Sequence, residues 1–378
     1  MKIVDLRIRY VKYEVTQPFT NSMGTSFCKK TGRTGILEVF TDEGITGVLG
    51  SHFIDDLCRQ IVTDHLKQLV VGEDPMNYAR VWQKMFGIEG QWRPQIAKGE
   101  VVRAISMVDT AIWDIIGKAL NTPVYKLLGG FRDQVPCYAS GGHYVAFDSQ
   151  IEELRHLEAE MALYMDMGFK AVKMRAGRDI PKDEERVKLV REIIGPDVQL
   201  MVDFNTSQTY KGGVAQAIKF CRALEKYDIY WFEDLVVMDD LTGLKQISDA
   251  IDSAIATGEY EQTIWGFRDL IVNKAADIIL PDATQVCGGI TEWRRIAALA
   301  DAYRIPIAAH IGDMTHVHCV AAVPNGLIVE YFRPQDTTRR MYEAEPLAPN
   351  KDGMFDVPQT PGFGMELNEG YIRTNLTA

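Results

Sequence analysis

After Gly129-Gly130 the chain repeats one pattern: a short apolar segment of strand character, then a helical stretch, then another such segment. The segments lie at Pro136–Ser140, Ala171–Arg175, Gln199–Asp203, Ile229–Glu233, Ala254–Glu259, Ile278–Asp282, Ile305–His310 and Leu327–Glu330. Eight strands in succession, each one βα unit from the next, is the count of a (β/α)8 barrel. A doubly wound sheet alternates in the same way. It is disfavoured because no segment leads into a GxGxxG turn whose glycines would admit a dinucleotide pyrophosphate. Gly212-Gly213 and Gly288-Gly289 read as loop or helix-start glycines.

The residues that close these segments are polar. The second ends in Lys173-Met174-Arg175, the third in Asp203-Phe204-Asn205, and the others in Glu233, Glu259, Asp282, His310 and Glu330. In a parallel barrel every carboxyl end opens on one face, so these side chains converge on one site. A single charge after an apolar run is an ordinary loop start, but the repetition along seven consecutive strands is not.

Ahead of the repeats, Ile3, Leu6, Ile8 and Tyr10 are spaced for a half-buried strand, and Ile36–Phe40 gives another closed by Asp42-Glu43-Gly44. Helical periodicity follows at Phe53–Val71, Tyr78–Phe86 and Val101–Leu120. This division predicts an α+β domain over 1–130 and a barrel over 131–344, with the tail from about 345–378 returning to the first domain.

Charge and cysteine content narrow the setting. The 41 Lys+Arg against 52 Asp+Glu give net −11, which lacks the basic footprint of a nucleic-acid or anionic-membrane binder. The six cysteines are scattered without a CxxC pair, and no apolar run is long enough for a signal peptide or a membrane span. The expectation is a cytoplasmic protein with neither nucleic acid nor membrane as partner.

Asp203, Glu233 and Glu259 come from consecutive strands, and three carboxylates facing one point repel unless a cation sits among them. An all-oxygen ligand set favours a hard ion such as Mg²⁺. Lys173 and Arg175, two apart on a strand, share a face and form a cationic side. Opposite stand Asp282 and His310, placed for a carboxylate to orient an imidazole and raise its basicity. His143 and Tyr144 follow the first barrel strand and are candidate substrate contacts, with loop packing as the alternative. His316-Val317-His318 is a weak metal motif, since helix positions two apart face different directions.

Several segments together resemble the enolase superfamily, mandelate racemase group. They are Val108 through Lys118, Pro123 through Gly130, Trp231-Phe232-Glu233, Gly258-Glu259, Leu280-Pro281-Asp282, Val329-Glu330-Tyr331 and Pro361-Gly362-Phe363-Gly364. The resemblance implies a modified TIM barrel with an N-terminal α+β capping domain, and Mg²⁺ on Asp203, Glu233 and Glu259. It implies abstraction of the proton α to a carboxylate, with Asn205 assisting near the metal and a protonated Glu330 hydrogen-bonding the enediolate. It also implies that Phe19–Phe27 and the region of His52 cover the barrel mouth, and that the chain forms a homo-oligomer. Lys29, Lys30 and Arg33 read as a solvated charge run.

The sequence departs from that group where Lys-x-Lys is usual: the second position is Arg175. Arginine stays protonated and makes a poor base, whereas a racemase needs bases on both faces of the carbon. The expectation is therefore a Mg²⁺-dependent dehydratase of an aldonate or aldarate, a small carboxylate substrate, with His310 central and Lys173, Arg175, Asp282 and Glu330 beside it. Racemisation, epimerisation or cycloisomerisation through the same enediolate is the alternative. A Schiff-base aldolase using Lys173 and a non-catalytic binding role are the readings from other classes.

Overall fold

In a computed structural model describing residues 1–14, 19–22, 26–28, 31–87, 97–147, 149–311, 314–333, 339–343 and 347–377, the repeats close into a parallel barrel. Its strands are β1 (Gln134–Ser140), β2 (Ala171–Arg175), β3 (Gln199–Asp203), β4 (Ile229–Glu233), β5 (Ala254–Thr257), β6 (Ile278–Ile279), β7 (Ile307–Ala309) and β8 (Gly326–Phe332). Closure is by β8 on β1, with Glu330 opposite Tyr138 and Phe332 opposite Ser140. Lys29 and Lys30, and parts of the Phe19–Phe27 segment, fall outside the described residues or their described side chains.

Three strands stop earlier than the apolar pattern suggests. β5 ends at Thr257 because Gly258 takes φ +112, and β6 ends before Pro281, which has no N–H for a ladder. Glu259, Asp282 and His310 therefore stand on the loops just beyond their strands.

The barrel interior is layered by the two-residue period of its strands. Tyr138, Ala171, Met201, Trp231, Ala256, Ile278, Leu280, Ala308 and Ile328 form a buried apolar plug. One step further along the same strands, the inward positions are Ser140, Lys173, Asp203, Glu233 and Glu330, so the polar layer rests directly on the plug. The alternate residues, among them Val172, Met174, Val202, Phe232 and Val329, pack outward in the larger core beneath the helices.

A four-stranded antiparallel sheet forms the separate N-terminal domain, in the order Leu376–Thr377, Ile3–Glu14, Thr31–Thr41, Thr46–Ser51. The C-terminal segment touches both domains: Met354–Asp356 pairs with β1, whereas Thr377 lies opposite Tyr10 of the N-terminal sheet. Phe53–Val71 is broken by a π-turn at Val62–Leu66 between helices Asp56–Ile61 and Lys67–Val70. Among the described residues no helix is long and apolar enough to cross a membrane.

The buried Glu100–Ala119 helix ties the domains together. Asp109 accepts hydrogen bonds from the Thr291 amide at 2.8 Å and the Thr291 hydroxyl at 2.7 Å, at the start of the barrel helix Gly289–Ala302. Gly289 is required there: at φ +88 a Cβ would sit 2.4 Å from Asp109 Oδ2. Asp114 accepts from the amides of Val48 at 3.1 Å and Phe363 at 3.0 Å and pairs with Lys118.

Burial raises the Asp109 carboxyl from its ordinary 3.8 to about 7, against the hydrogen bonds from Thr291. The folded protein thus holds this proton more tightly than the unfolded chain, and stability from this group is full below about pH 4 and lost as pH rises towards 7. Asp109→Asn, which keeps an acceptor for the Thr291 amide, is expected to gain thermal midpoint relative to the parent progressively across that window and to level off above it. A constant difference between pH 4 and 8 would contradict the assignment.

Candidate active site

Strand register sets the floor of the site. Arg175 lies opposite Asp203, and Asp203 opposite Glu233, so three charged residues sit at one height across β2, β3 and β4. Glu259 reaches the same point from the loop after β5. The carboxylates of Asp203, Glu233 and Glu259 are buried, and an oxygen from each lies within 4.8 Å of the others. Burial and the neighbouring acids push Glu233 up to about 8, although Lys173 opposes the shift.

Two cations offset this repulsion. Lys173 Nζ is ion-paired with Glu233, lies 3.2 Å from Glu330 and is 3.6 Å from Asp203. Its neighbours outweigh burial and hold it well above the ordinary lysine value. It is therefore an ammonium, unsuited to Schiff-base attack as it stands. Arg175 pairs with Asp203, and its Nε donates to His143 Nε2 at 3.2 Å. Burial followed by the Arg175 charge holds the His143 imidazole well below its ordinary value.

Opposite stands His310. Its Nδ1 is 3.1 Å from Asp282 Oδ2 and its Nε2 is 3.2 Å from Glu259 Oε2. Burial would lower it, but Glu259 and Asp282 raise it to about 10. Compensating the charge of Glu259 with a cation would release that hold and leave Asp282 as the partner of the ring. The next residue, Ile311, takes φ +54, an uncommon state for a β-branched side chain, and its amide donates to Glu330 Oε2 at 2.7 Å.

Glu330 differs from what the resemblance implied. Burial works to protonate it, but Lys173, His310 and Arg175 prevail and hold it well below the usual carboxylate range. Asn205 lines the cavity, its Oδ1 buried and unpartnered, with φ +45 and its amide donating to Asp203 Oδ1.

His143 lines the cavity, but Tyr144 does not: its hydroxyl donates to Asp183 at 2.6 Å, and the Arg178 and Arg186 guanidiniums lie over its ring. Nor do His316 and His318, on the late helix Met314–Ala322, form a metal pair. His316 accepts from the Ala283 amide, and His318 from the Tyr125 amide. His52 lies at a second small cavity with Thr284, Gln285 and Tyr342.

Sequence reasoning did not single out Asn21, which lies within the segment that the resemblance places over the mouth, and it missed Phe332 and Asp234. Asn21 lines the cavity from the capping side, where Ser22 Oγ donates to the Ala176 carbonyl, Arg178 to the Asn21 carbonyl, and Phe19 packs on His143. Asp234 is buried beside the acids, accepts from Thr257 Oγ1 at 2.6 Å and is held well above the usual range by burial and by Glu259. Its only sequence signal is a second acid after Glu233. The space left among the lining residues is about 30 Å³, room for water but not for a sugar acid.

An acid-rich site at the carboxyl face of a parallel barrel, under an α+β domain, defines a class of metal-competent barrel enzymes. The comparisons place the chain within it. Residues 3–129 match the family described as mandelate racemase / muconate lactonizing enzyme, N-terminal domain, and residues 156–371 match the enolase C-terminal domain-like family. The chain belongs to the enolase superfamily, mandelate racemase group. It is 31% identical to an arabinonate dehydratase of Saccharolobus solfataricus over 88% of each chain. It is 34% identical to a 3,6-anhydro-alpha-L-galactonate cycloisomerase of Streptomyces coelicolor, covering 82% of this chain and 81% of that one. A racemase crystal structure from Streptomyces coelicolor with bound magnesium superposes with TM-score 0.86 at 29% identity, over 99% of this chain and 100% of that one.

The charge balance yields a direct test. Lys173→Met leaves the buried acids under-compensated, and breaking a buried pair costs about 3–5 kcal/mol. The variant is expected to unfold at lower temperature in chelator-treated buffer, and added Mg²⁺ is expected to recover more of its midpoint than it adds to the parent. Equal Mg²⁺ effects on the two proteins would contradict the reading.

Proposed function

We propose that this chain is a Mg²⁺-dependent acid-sugar dehydratase, which removes the proton α to a carboxylate and eliminates a β-hydroxyl to give a 2-keto-3-deoxy acid. The observation that carries the reading is the opposition of two fixed cations, Lys173 and Arg175, to one imidazole, His310, backed by Asp282. The arabinonate dehydratase relative supports it from outside the chain.

The donor set suits a hard divalent ion: Asp203, Glu233 and Glu259 offer only carboxylate oxygens, gathered and buried. Bound there, Mg²⁺ supplies the positive charge that makes the α-proton acidic enough to remove. The protein's own residues divide the remaining work. Lys173 and Arg175 bind and orient the substrate carboxylate and stay protonated. His310, held by Asp282, takes the α-proton at Nε2 while the C–H electron pair enters the enediolate. As the enediolate collapses, the β C–O bond breaks, and the same imidazolium returns its proton to the departing hydroxyl as water. The enol then tautomerises to the keto acid. Asn205 and His143 meet the hydroxyl chain, and the cover from Phe19 to Ser22 must shift to admit it.

Arg175 separates this reading from racemisation. Its neighbours keep it a guanidinium, so the face opposite His310 has no competent base of the usual kind. Cycloisomerisation is the second reading, favoured by the 34% identity to a cycloisomerase.

The test is a panel of aldonates, aldarates and anhydro-sugar acids with Mg²⁺, followed by detection of 2-keto acid. Release of 2-keto-3-deoxy acid from an acyclic acid is expected, abolished by chelator, with His310→Asn lowering kcat roughly 10²- to 10⁴-fold. In deuterated water, unreacted substrate should stay unlabelled at the α-carbon. Label appearing there without elimination, or isomerisation without loss of water, would overturn the dehydratase.

A further inference from the structure

Asp282 stands between two histidines contributed by one segment. Its Oδ2 meets His310 Nδ1 at 3.1 Å, and on its other side His316 Nε2 lies 3.5 Å from Oδ1. Asp282 and His316 are fully buried. Oδ1 is already the acceptor of three hydrogen bonds, from the Thr284 amide at 2.9 Å, the Thr284 hydroxyl at 2.9 Å and the Gln285 amide at 3.0 Å. This turn captures one carboxylate oxygen and leaves the other for His310.

His316 holds the turn. The Ala283 amide, one residue after Asp282, donates to His316 Nε2 at 3.0 Å, and the Ala283 carbonyl accepts from Thr110 Oγ1 of the capping-domain helix at 3.4 Å. An amide can only donate, so Nε2 is the bare nitrogen of a neutral ring and the proton sits on Nδ1. Two acceptors, Nε2 and Oδ1, then face each other at 3.5 Å. That arrangement offers Asp282 no bond on this side. It keeps Oδ1 turned to its three donors and Oδ2 to His310. A ring carrying a proton on Nε2 would do the opposite: it would release Ala283, compete for Oδ1 and weaken the carboxylate's support of His310.

We infer that His316 is a positioning residue for the His310–Asp282 pair, acting as a neutral Nδ1–H imidazole that fixes the Ala283 peptide and thereby the orientation of the Asp282 carboxylate. This rests on the reading of His310 as the base in Proposed function. It assigns a role to one of the two late-helix histidines that metal binding does not explain. Along the chain the carboxylate comes first, on the loop after β6, then the base just beyond β7, then the peptide clamp on the helix Met314–Ala322.

The experiment uses the full-length, Mg²⁺-loaded protein labelled with [¹⁵N]histidine, of which the chain has seven. Long-range ¹H–¹⁵N spectra report each ring's tautomer, with His310→Asn and His316→Gln supplying the assignments. The parent is expected to show His316 neutral with its proton on Nδ1, and His310 with its proton on Nδ1 towards Asp282. His316→Leu, lacking an acceptor for Ala283, is expected to shift the His310 resonances and to lower kcat on the parent's best acid sugar about 10- to 100-fold with KM unchanged. His316→Gln, whose Oε1 falls near the Nε2 position, is expected to restore both. If His316→Leu does not fold, His316→Asn, whose amide stops short of Ala283, takes its place. A parent His316 that is charged or protonated on Nε2, or a Leu variant indistinguishable from the Gln variant in spectrum and kcat, overturns the inference. The spectra need no substrate, so an acid-sugar panel without product would overturn the dehydratase while leaving this assignment standing on its own data.

Discussion

Mutual repulsion of buried carboxylates governs the barrel mouth. Asp203, Glu233, Asp234, Glu259, Asp282 and Glu330 are all buried around the barrel mouth, where each would be costly to ionise alone. The fold answers with Lys173, Arg175 and His310, and the shifts of Glu330 and His310 follow from that exchange prevailing over burial. Glu330 is drawn down because it faces all three cations, whereas burial and then its acidic neighbours drive Glu233 up. Such a cluster has little use as a stabilising device, since buried ion pairs rarely repay their desolvation. The proposed function makes it intelligible: a site where a metal and an anionic substrate would replace the pairing to protein cations.

The apolar plug beneath makes that cluster possible. Tyr138, Met201 and Trp231 fill the barrel and exclude water from below, and the indole of Trp231 donates to Glu233 Oε2 at 2.9 Å. The capping side completes the enclosure: Phe19 and Phe332 flank His143, and Arg178 and Lys211 hold the Asn21 and Ser22 carbonyls. In the proposed reading a net acidic protein takes a small anion because a divalent ion on the triad, with Lys173 and Arg175, would make the mouth locally positive.

Much of this was legible in the residue pattern because the barrel converts linear repetition into spatial convergence. Strands β2, β3 and β4 were readable to the residue, since each apolar run ends in the charge that faces inward. The strands before Glu259, Asp282 and His310 were read too long, because hydrophobicity continues past Gly258 and Pro281 while the hydrogen-bond ladder does not. Contacts between residues far apart in the chain carried no periodic signal. Asp109 with Thr291, separated by 182 positions, and Arg175 with His143 are visible only once the helices and loops are packed. Tyr144 misled for the same reason: its place after β1 suggested the cavity, but Asp183 and two arginines claim it from outside.

The most direct measurement is the position of a divalent ion in crystals of the full chain grown with Mn²⁺, located by anomalous scattering. The account predicts a single strong peak bound by oxygens of Asp203, Glu233 and Glu259, with Lys173 withdrawn from Glu233. An empty triad with Lys173 still paired to Glu233, or a peak elsewhere in the barrel mouth, would contradict it.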